Sequence, residues 1–270
     1  MSKLLEGKNA LVTGLISERS IAWAIIKAFQ GNGANVVGSA QNREIKKRVQ
    51  TFEECPPMIV MDAGKNRSIK NGVTDAVKIF DDQPIDCLVH CLAFAKKKEL
   101  QGRYIDGKRG RAMEAYSISV ESLRIMTQMA EPFMARDGSI IYLTFAGSER
   151  VYPYYNTMGV MKAALECAGR YLAPDLAASN RIRINGISAG PERTLAATAV
   201  EGFRKIGKFY ELRAPLGNVP PENIAGMAVC LASDLSQGVT GEIIHVDGGF
   251  HAMAIGIKEE QTIENKKEIG

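Results

Sequence analysis

Cysteine and histidine are scarce in this chain: five and three among 270 residues. The cysteines, at 55, 87, 91, 167 and 230, are odd in number and scattered. Cys87 and Cys91 lie four apart in an apolar run, and no second pair completes a zinc site. A disulfide framework is not expected, which suits a reducing cytoplasm. His90, His245 and His251 lack the spacing of metal ligands, so no metal is expected. No apolar run approaches the ~20 residues of a membrane span. The first eight residues lack the long apolar core of a signal peptide, so the expected location is cytoplasmic. Lys and Arg outnumber Asp and Glu by only 34 to 30. The net charge of +4 and the absence of a dense basic block speak against nucleic acid as a partner. Glycine and proline, 26 and 10, are too few for a low-complexity chain.

What is present is an alternation of short apolar runs with helical patterns. Strands are predicted at 9–14, 35–38, 58–62, 87–92, 139–144, 182–188 and 243–246. Between the first two, Ile21, Ile25 and Phe29 recur at helical spacing, and Gly31-Asn32-Gly33 ends that helix. Further helices are predicted at 45–52, through Val73, Val77 and Phe80, from about Arg111 to Met134, and from Tyr155 to Leu176. Uniformly apolar strands separated by helices give a parallel sheet covered on both faces. Right-handed crossovers then make it doubly wound, an α/β, Rossmann-like sheet of about seven strands. It is expected as one domain over residues 1–257, followed by a polar tail at 258–270.

Gly14 ends the first strand and a helix opens at Ser20, the place where a dinucleotide pyrophosphate is held. The spacing is not Gly-x-Gly-x-x-Gly, and a plain turn with a serine helix cap explains it equally well. The second strand ends in Gln41-Asn42-Arg43, with no acid for a ribose hydroxyl. Gln41 then belongs to the adenine side, and Arg43 leaves a 2′-phosphate open. Asp62 ends the third strand, where it can meet an adenine amine or cap the next helix.

Tyr155 and Lys162 are seven residues apart, about two helical turns, and so share a face. An ammonium beside a phenol favours the ionised phenol, and the phenol can donate to a developing oxyanion. A packed tyrosine and an exposed lysine would show the same spacing. The position of this helix, after the fifth strand at the ligand-binding edge, favours chemistry. Ser188-Ala189-Gly190-Pro191 follows the sixth strand at the same edge.

Together these pieces resemble the short-chain dehydrogenase/reductase superfamily. More closely, they resemble its divergent branch, the bacterial enoyl-acyl-carrier-protein reductases of fatty-acid synthesis. The matching residues are Thr13-Gly14, Ser20-Ile21-Ala22, Gln41, Asp62, His90, Phe94-Ala95, Gly102-Arg103-Tyr104, Pro153, Tyr155-Asn156, Met158-Gly159, Lys162-Ala163, Ser188 to Pro191, Arg193-Thr194 and Val246 to Gly249. An ordinary member of the superfamily has Tyr-x3-Lys, which would put tyrosine at 158; Met158 stands there.

The resemblance implies hydride transfer from NADH, with NADPH open, to the β-carbon of a trans-2-enoyl thioester on acyl carrier protein. Tyr155 would stabilise the enolate, and Lys162 would hold the nicotinamide ribose. Gly14, Ser20, Ile21, Gln41, Asp62, Ala63, Leu92, Glu192, Thr194 and Ala196 would contact the cofactor. Phe94, Ala95 and Phe203 would line the substrate site. The substrate loop is expected at about 192–212, and the implied assembly is a homotetramer.

Three positions depart from the branch. Relatives commonly carry a second catalytic-site tyrosine where this chain has Phe145. Cys91 replaces a usual serine, and Glu192 a usual apolar residue where an acid would repel phosphate. Lys96-Lys97-Lys98, Arg204-Lys205 and Lys208 cluster around the expected mouth, where charge would speed docking of an acidic carrier protein. Two other functions stay open: a ketone/alcohol dehydrogenase, opposed by Met158, and a non-catalytic cofactor-binding module, opposed by Tyr155 and Lys162.

Overall fold

Each apolar run becomes a strand of one sheet. A computed structural model describes residues 3–192 and 203–254; the tail at 258–270 and residues 193–202 lie outside them. The strands are β1 (Asn9–Val12), β2 (Asn35–Ala40), β3 (Met58–Val60), β4 (Ile85–His90), β5 (Met134–Thr144), β6 (Arg183–Ala189) and β7 (Ile243–Val246). Their order across the sheet is β3-β2-β1-β4-β5-β6-β7, and every neighbouring pair is parallel. The helices are α1 (Ile21–Gly31), α2 (Arg43–Val49), α3 (Asn66–Ile79), α4 (Arg109–Tyr116), α5 (Ser122–Ala130), α6 (Asn156–Asn180), α7 (Phe203–Arg213) and α8 (Pro221–Ala232).

Successive strand residues point to opposite faces, and both faces are buried. Leu11, Val37, Leu88 and Ile140 join a core with side chains of α3, α5 and α6. Val12, Val36, Val89 and Ile141 join the other core, with α1 and α8. That is why the central residues of these strands, such as Leu11-Val12 and Leu88-Val89, are apolar in succession instead of alternating.

Neither α7 nor α8 is among the helices expected from the sequence, and the region leading into β5 also differs. β5 begins at Met134, not 139, because the polar stretch Arg136-Asp137-Gly138 bends into the strand with Asp137 at φ +60°. The expected single helix before it is two helices, α4 and α5, joined by a π turn at Ser117–Glu121. Among the described residues no helix is long and apolar enough to cross a membrane.

Candidate active site

The carboxyl ends of β1, β4, β5 and β6 border a cavity of about 500 Å³. The strand order reverses between β1 and β4, the point where open α/β sheets bind ligands. A larger polar groove, about 730 Å³, lies at the opposite strand ends. Several of its polar groups bond one another: Asn35 Nδ2 donates to Asn9 Oδ1 at 3.1 Å, and the Asn9 amide to Asp86 Oδ2 at 2.8 Å.

At the dinucleotide end, Thr13 ties β1 to β4, its hydroxyl donating to the Val89 carbonyl at 2.8 Å. Gly14 then turns with φ +84°, and a Cβ there would lie 2.2 Å from the Cys91 carbonyl oxygen. Only glycine tolerates both the left-handed backbone and that approach. Ser20 sits at the N-cap of α1 but makes no capping bond; its hydroxyl donates to the Ser17 carbonyl instead. The serine-cap explanation of this turn therefore does not hold; the Trp23 and Ala24 amides donate to the Ser20 carbonyl and the Ala22 amide to the Cys91 thiol, which leaves the Ile21 amide for an anion. The Ser17 hydroxyl is buried, borders the cavity and has no partner. The Ile21 amide at a helix N-terminus, a glycine turn and an unmet hydroxyl fit a pyrophosphate. Gly14→Ala is expected to cost about 2–3 kcal/mol of stability, read as a drop in Tm by calorimetry.

Ile21, Leu92 and Glu192 also border the cavity; Gln41, Asp62 and Ala63 lie outside it, at the ends of β2 and β3. Asp62 does not cap α3, whose N-cap is Lys65. It accepts from the Gly64 amide at 3.1 Å and pairs with Lys65 at 2.9 Å. Burial opposes its ionisation, but Lys65, the Gly64 amide and Gln41 together hold its carboxyl below the ordinary range. Gln41 and Asp62 are thus brought together at the ends of β2 and β3.

At the chemical end, Tyr155 is the N-cap of α6, and Lys162 lies two turns along; both border the cavity. Lys162 is 6% exposed, which discards an exposed surface lysine. Its ammonium donates to the Leu143 carbonyl at 2.8 Å. Burial pushes it down to about 8, with Cys91 and Glu166 opposing. The Glu166 carboxylate is itself buried and accepts from the Thr144 hydroxyl at 2.6 Å. The expectation that Lys162 favours an ionised Tyr155 is corrected here. Burial, then Glu166, pushes the phenol well above its ordinary range, so Tyr155 stays an O–H donor.

The turn holding Tyr155 is tightly specified. Tyr154 and Asn156 on either side have φ +67° and +39°. Strain of this kind persists only when neighbours impose it. Asn156 Nδ2 donates to the Gly102 carbonyl at 3.2 Å, and the Thr157 hydroxyl donates to buried Glu99 at 2.8 Å. A Cβ on Gly147 would lie 2.5 Å from the Tyr155 ring, so glycine makes room for it.

Phe145 borders the cavity with its ring 5.1 Å from that of Tyr155. Met158 is buried at the cavity wall and offers no donor. Cys91 also borders the cavity, its thiol pushed up to about 11 by burial and therefore unreactive. Burial, then Glu222, pushes the Glu192 carboxyl up to about 7, which weakens its repulsion of a phosphate at neutral pH. Phe94 and Ala95 border the cavity, whereas Thr194, Ala196 and the Phe203 side chain lie outside the described residues.

Sequence reasoning passed over Ser17, Gly147 and two serines of the π turn and α5. Ser119 holds Phe94 by both backbone groups, at 2.9 and 3.1 Å. Ser122 Oγ lies 2.7 Å from His90 Nε2. Burial, then Lys162, pushes His90 down to about 3, so it is neutral at the sheet edge and no general acid. A π turn beside a ligand cavity is a recurrent functional device.

The same surroundings occur in known proteins. The family model described as enoyl-(acyl carrier protein) reductase matches residues 14–251. The enoyl-(acyl-carrier-protein) reductase (NADH) of Rickettsia typhi is 41% identical over 254 residues, 93% of this chain and 96% of the relative. The crystal structure of the Aquifex aeolicus reductase superposes with a TM-score of 0.89 at 39% identity, over 93% of this chain and 99% of that one. That of Anaplasma phagocytophilum, in complex with NAD, gives 0.88 at 36% identity, over 95% and 96%. A match that spans every strand end around the cavity, in sequence and in structure, places this chain in the enoyl-(acyl-carrier-protein) reductase family of the short-chain dehydrogenase/reductase superfamily.

Proposed function

We propose that this chain reduces trans-2-enoyl thioesters of fatty-acid biosynthesis with NADH. The observation that carries the proposal is the pair Tyr155 and buried Lys162 at one end of a cavity whose other end has the N-terminus of α1 and the unmet Ser17 hydroxyl. The bound dinucleotide supplies a hydride to the β-carbon of the substrate. Negative charge then gathers on the thioester oxygen, where the Tyr155 O–H donates a hydrogen bond. The α-carbon takes a proton from solvent, and a saturated thioester leaves. Lys162 has two N–H groups beyond the one given to Leu143, enough for the two hydroxyls of a ribose. Gly14, Ser17, Ser20 and Ile21 take the pyrophosphate, Gln41, Asp62 and Ala63 the adenine side, and Leu92, Glu192, Thr194 and Ala196 the remainder. Phe94, Ala95, Phe145 and Phe203 make the acyl wall.

The test is loss of NADH absorbance with an enoyl thioester, run beside a 3-ketoacyl thioester. Oxidation with the enoyl substrate alone is expected. Oxidation with the ketone alone supports a ketone/alcohol dehydrogenase, and none with either supports a binding module.

The thioester is carried by acyl carrier protein, and the mouth is basic where it docks. Lys205 and Lys208 are exposed, while Lys96 is engaged with Glu114 at 2.7 Å. Reversing the charges of Arg204 and Lys205 is expected to lower kcat/KM about tenfold for carrier-bound substrate. A coenzyme-A substrate should change less than twofold; equal effects on both would count against docking. The expected assembly is a homotetramer, supported by apolar Val160 and Tyr171 left exposed on α6 and checked by light scattering. The cytoplasmic setting is supported by five free cysteines.

A further inference from the structure

Behind Phe145 lies an aromatic cluster that the proposed chemistry does not use. Tyr152 is 8% exposed and Tyr210 wholly buried, and their hydroxyls share a hydrogen bond at 2.9 Å. Neither borders the cavity, so the bond is not a substrate contact. Tyr152 belongs to the turn before α6, and its carbonyl accepts from the Tyr155 amide at 3.1 Å. Tyr210 belongs to α7 and stacks on Phe250 at 3.9 Å, with 13° between the rings. Phe145 fills the remaining side, 4.9 Å from Tyr152 and 6.2 Å from Tyr210. One helical turn before Tyr210, Ile206 borders the cavity.

We infer that Tyr152 and Tyr210 are positioning residues that fix α7, and with it the Ile206 wall, at a set distance from Tyr155, so that their hydrogen bond sets how long an acyl chain the cavity admits. The inference rests on the reductase function proposed above. Tyr152 joins both parts: its backbone holds the turn of Tyr155 and its side chain holds α7. Two hydrogen bonds of α7 run to the loop after it, Asn218 Nδ2 to the Gly207 carbonyl at 3.0 Å and the Asn218 amide to Glu211 at 3.2 Å, and neither reaches the turn of Tyr155. Burial raises both phenols above their ordinary range, so the bond persists at any working pH.

The experiment uses Tyr152→Phe, Tyr210→Phe and the double variant, which keep the rings and their stacking. Each single change leaves one buried hydroxyl without its partner, whereas the double change removes both. KM for a long-chain enoyl thioester is expected to rise about tenfold in each single variant. KM for crotonyl thioester, and kcat for both substrates, should change less than about twofold. The double variant should be no worse than the worse single one, since the two groups act as a unit. In Tyr152→Phe, amide exchange in α7 should quicken about tenfold while α8 is unchanged. Equal KM changes for both chain lengths, a parallel fall in kcat, additive effects, or unaltered exchange in α7 would each overturn the inference. Should the wild type reduce no enoyl thioester, the reductase proposal fails, and the exchange comparison still decides whether Tyr152 holds α7.

Discussion

Tyr155→Phe is expected to lower kcat with an enoyl thioester about 10²- to 10³-fold, while the Kd for NADH changes less than about twofold. The size follows from how few donors the chemical end has. Phe145 offers no hydroxyl, and Met158 offers none. Thr144 borders the cavity, but its hydroxyl donates to Glu166 at 2.6 Å. The hydroxyls of Tyr152 and Tyr210 are spent on each other outside the cavity. Ser17 and Ser20 stand at the far end, with the N-terminus of α1. Among the described residues Tyr155 is therefore the one phenol at the cavity wall. Because burial keeps it protonated, it contributes its O–H without a pH threshold near neutrality. The converse change, Phe145→Tyr, adds a hydroxyl beside a donor already in place and should alter kcat much less. Steady-state kinetics with NADH titration by fluorescence separates the two; equal, small effects would remove Tyr155 from the reaction.

The same residues show what a sequence can disclose. The strands were legible because burial on both faces writes itself as short apolar runs, such as Cys87 to Val89. The start of β5 was not, since Arg136 and Asp137 sit in a bend that no apolar pattern marks. The π turn was hidden because one added residue hardly disturbs helical spacing over a few turns. Tyr155 and Lys162 were legible as a pair, but their charge states were not: spacing says nothing of desolvation. Ser17 looks like any turn serine until its hydroxyl proves to be buried and unmatched. Tyr152 and Tyr210 meet across 58 positions, which local patterning does not reach.

Lys162→Met is expected to lower kcat/KM for NADH about 10²-fold and, at the same time, to change how stability depends on pH. The first effect is the loss of a charged donor held in place: one N–H fixes the ammonium to the Leu143 carbonyl at 2.8 Å, and the others are directed to the ribose. The second effect follows from burial. The ammonium titrates at about 8 in the folded protein against an ordinary 10.5, so between these values the unfolded chain binds more protons. The lysine's contribution to stability therefore rises with pH across that window, and below about 8 the whole cost of the buried charge, roughly 3 kcal/mol, is in force. Tyr142, Tyr152, Tyr155 and Tyr210 are shifted upward and act in the opposite sense, but only above an ordinary phenol's 10. Cys55, Cys87 and Cys91, also raised by burial, act against the lysine from about pH 9 upward in both proteins, so its share is the difference between the wild-type and Lys162→Met slopes in denaturant unfolding between pH 8 and 10. The buried charge lowers stability where the enzyme works, a cost consistent with a functional group. A variant that loses NADH affinity while keeping the wild-type slope would show that Lys162 binds from water, and the account of a desolvated ammonium at the ribose would fall.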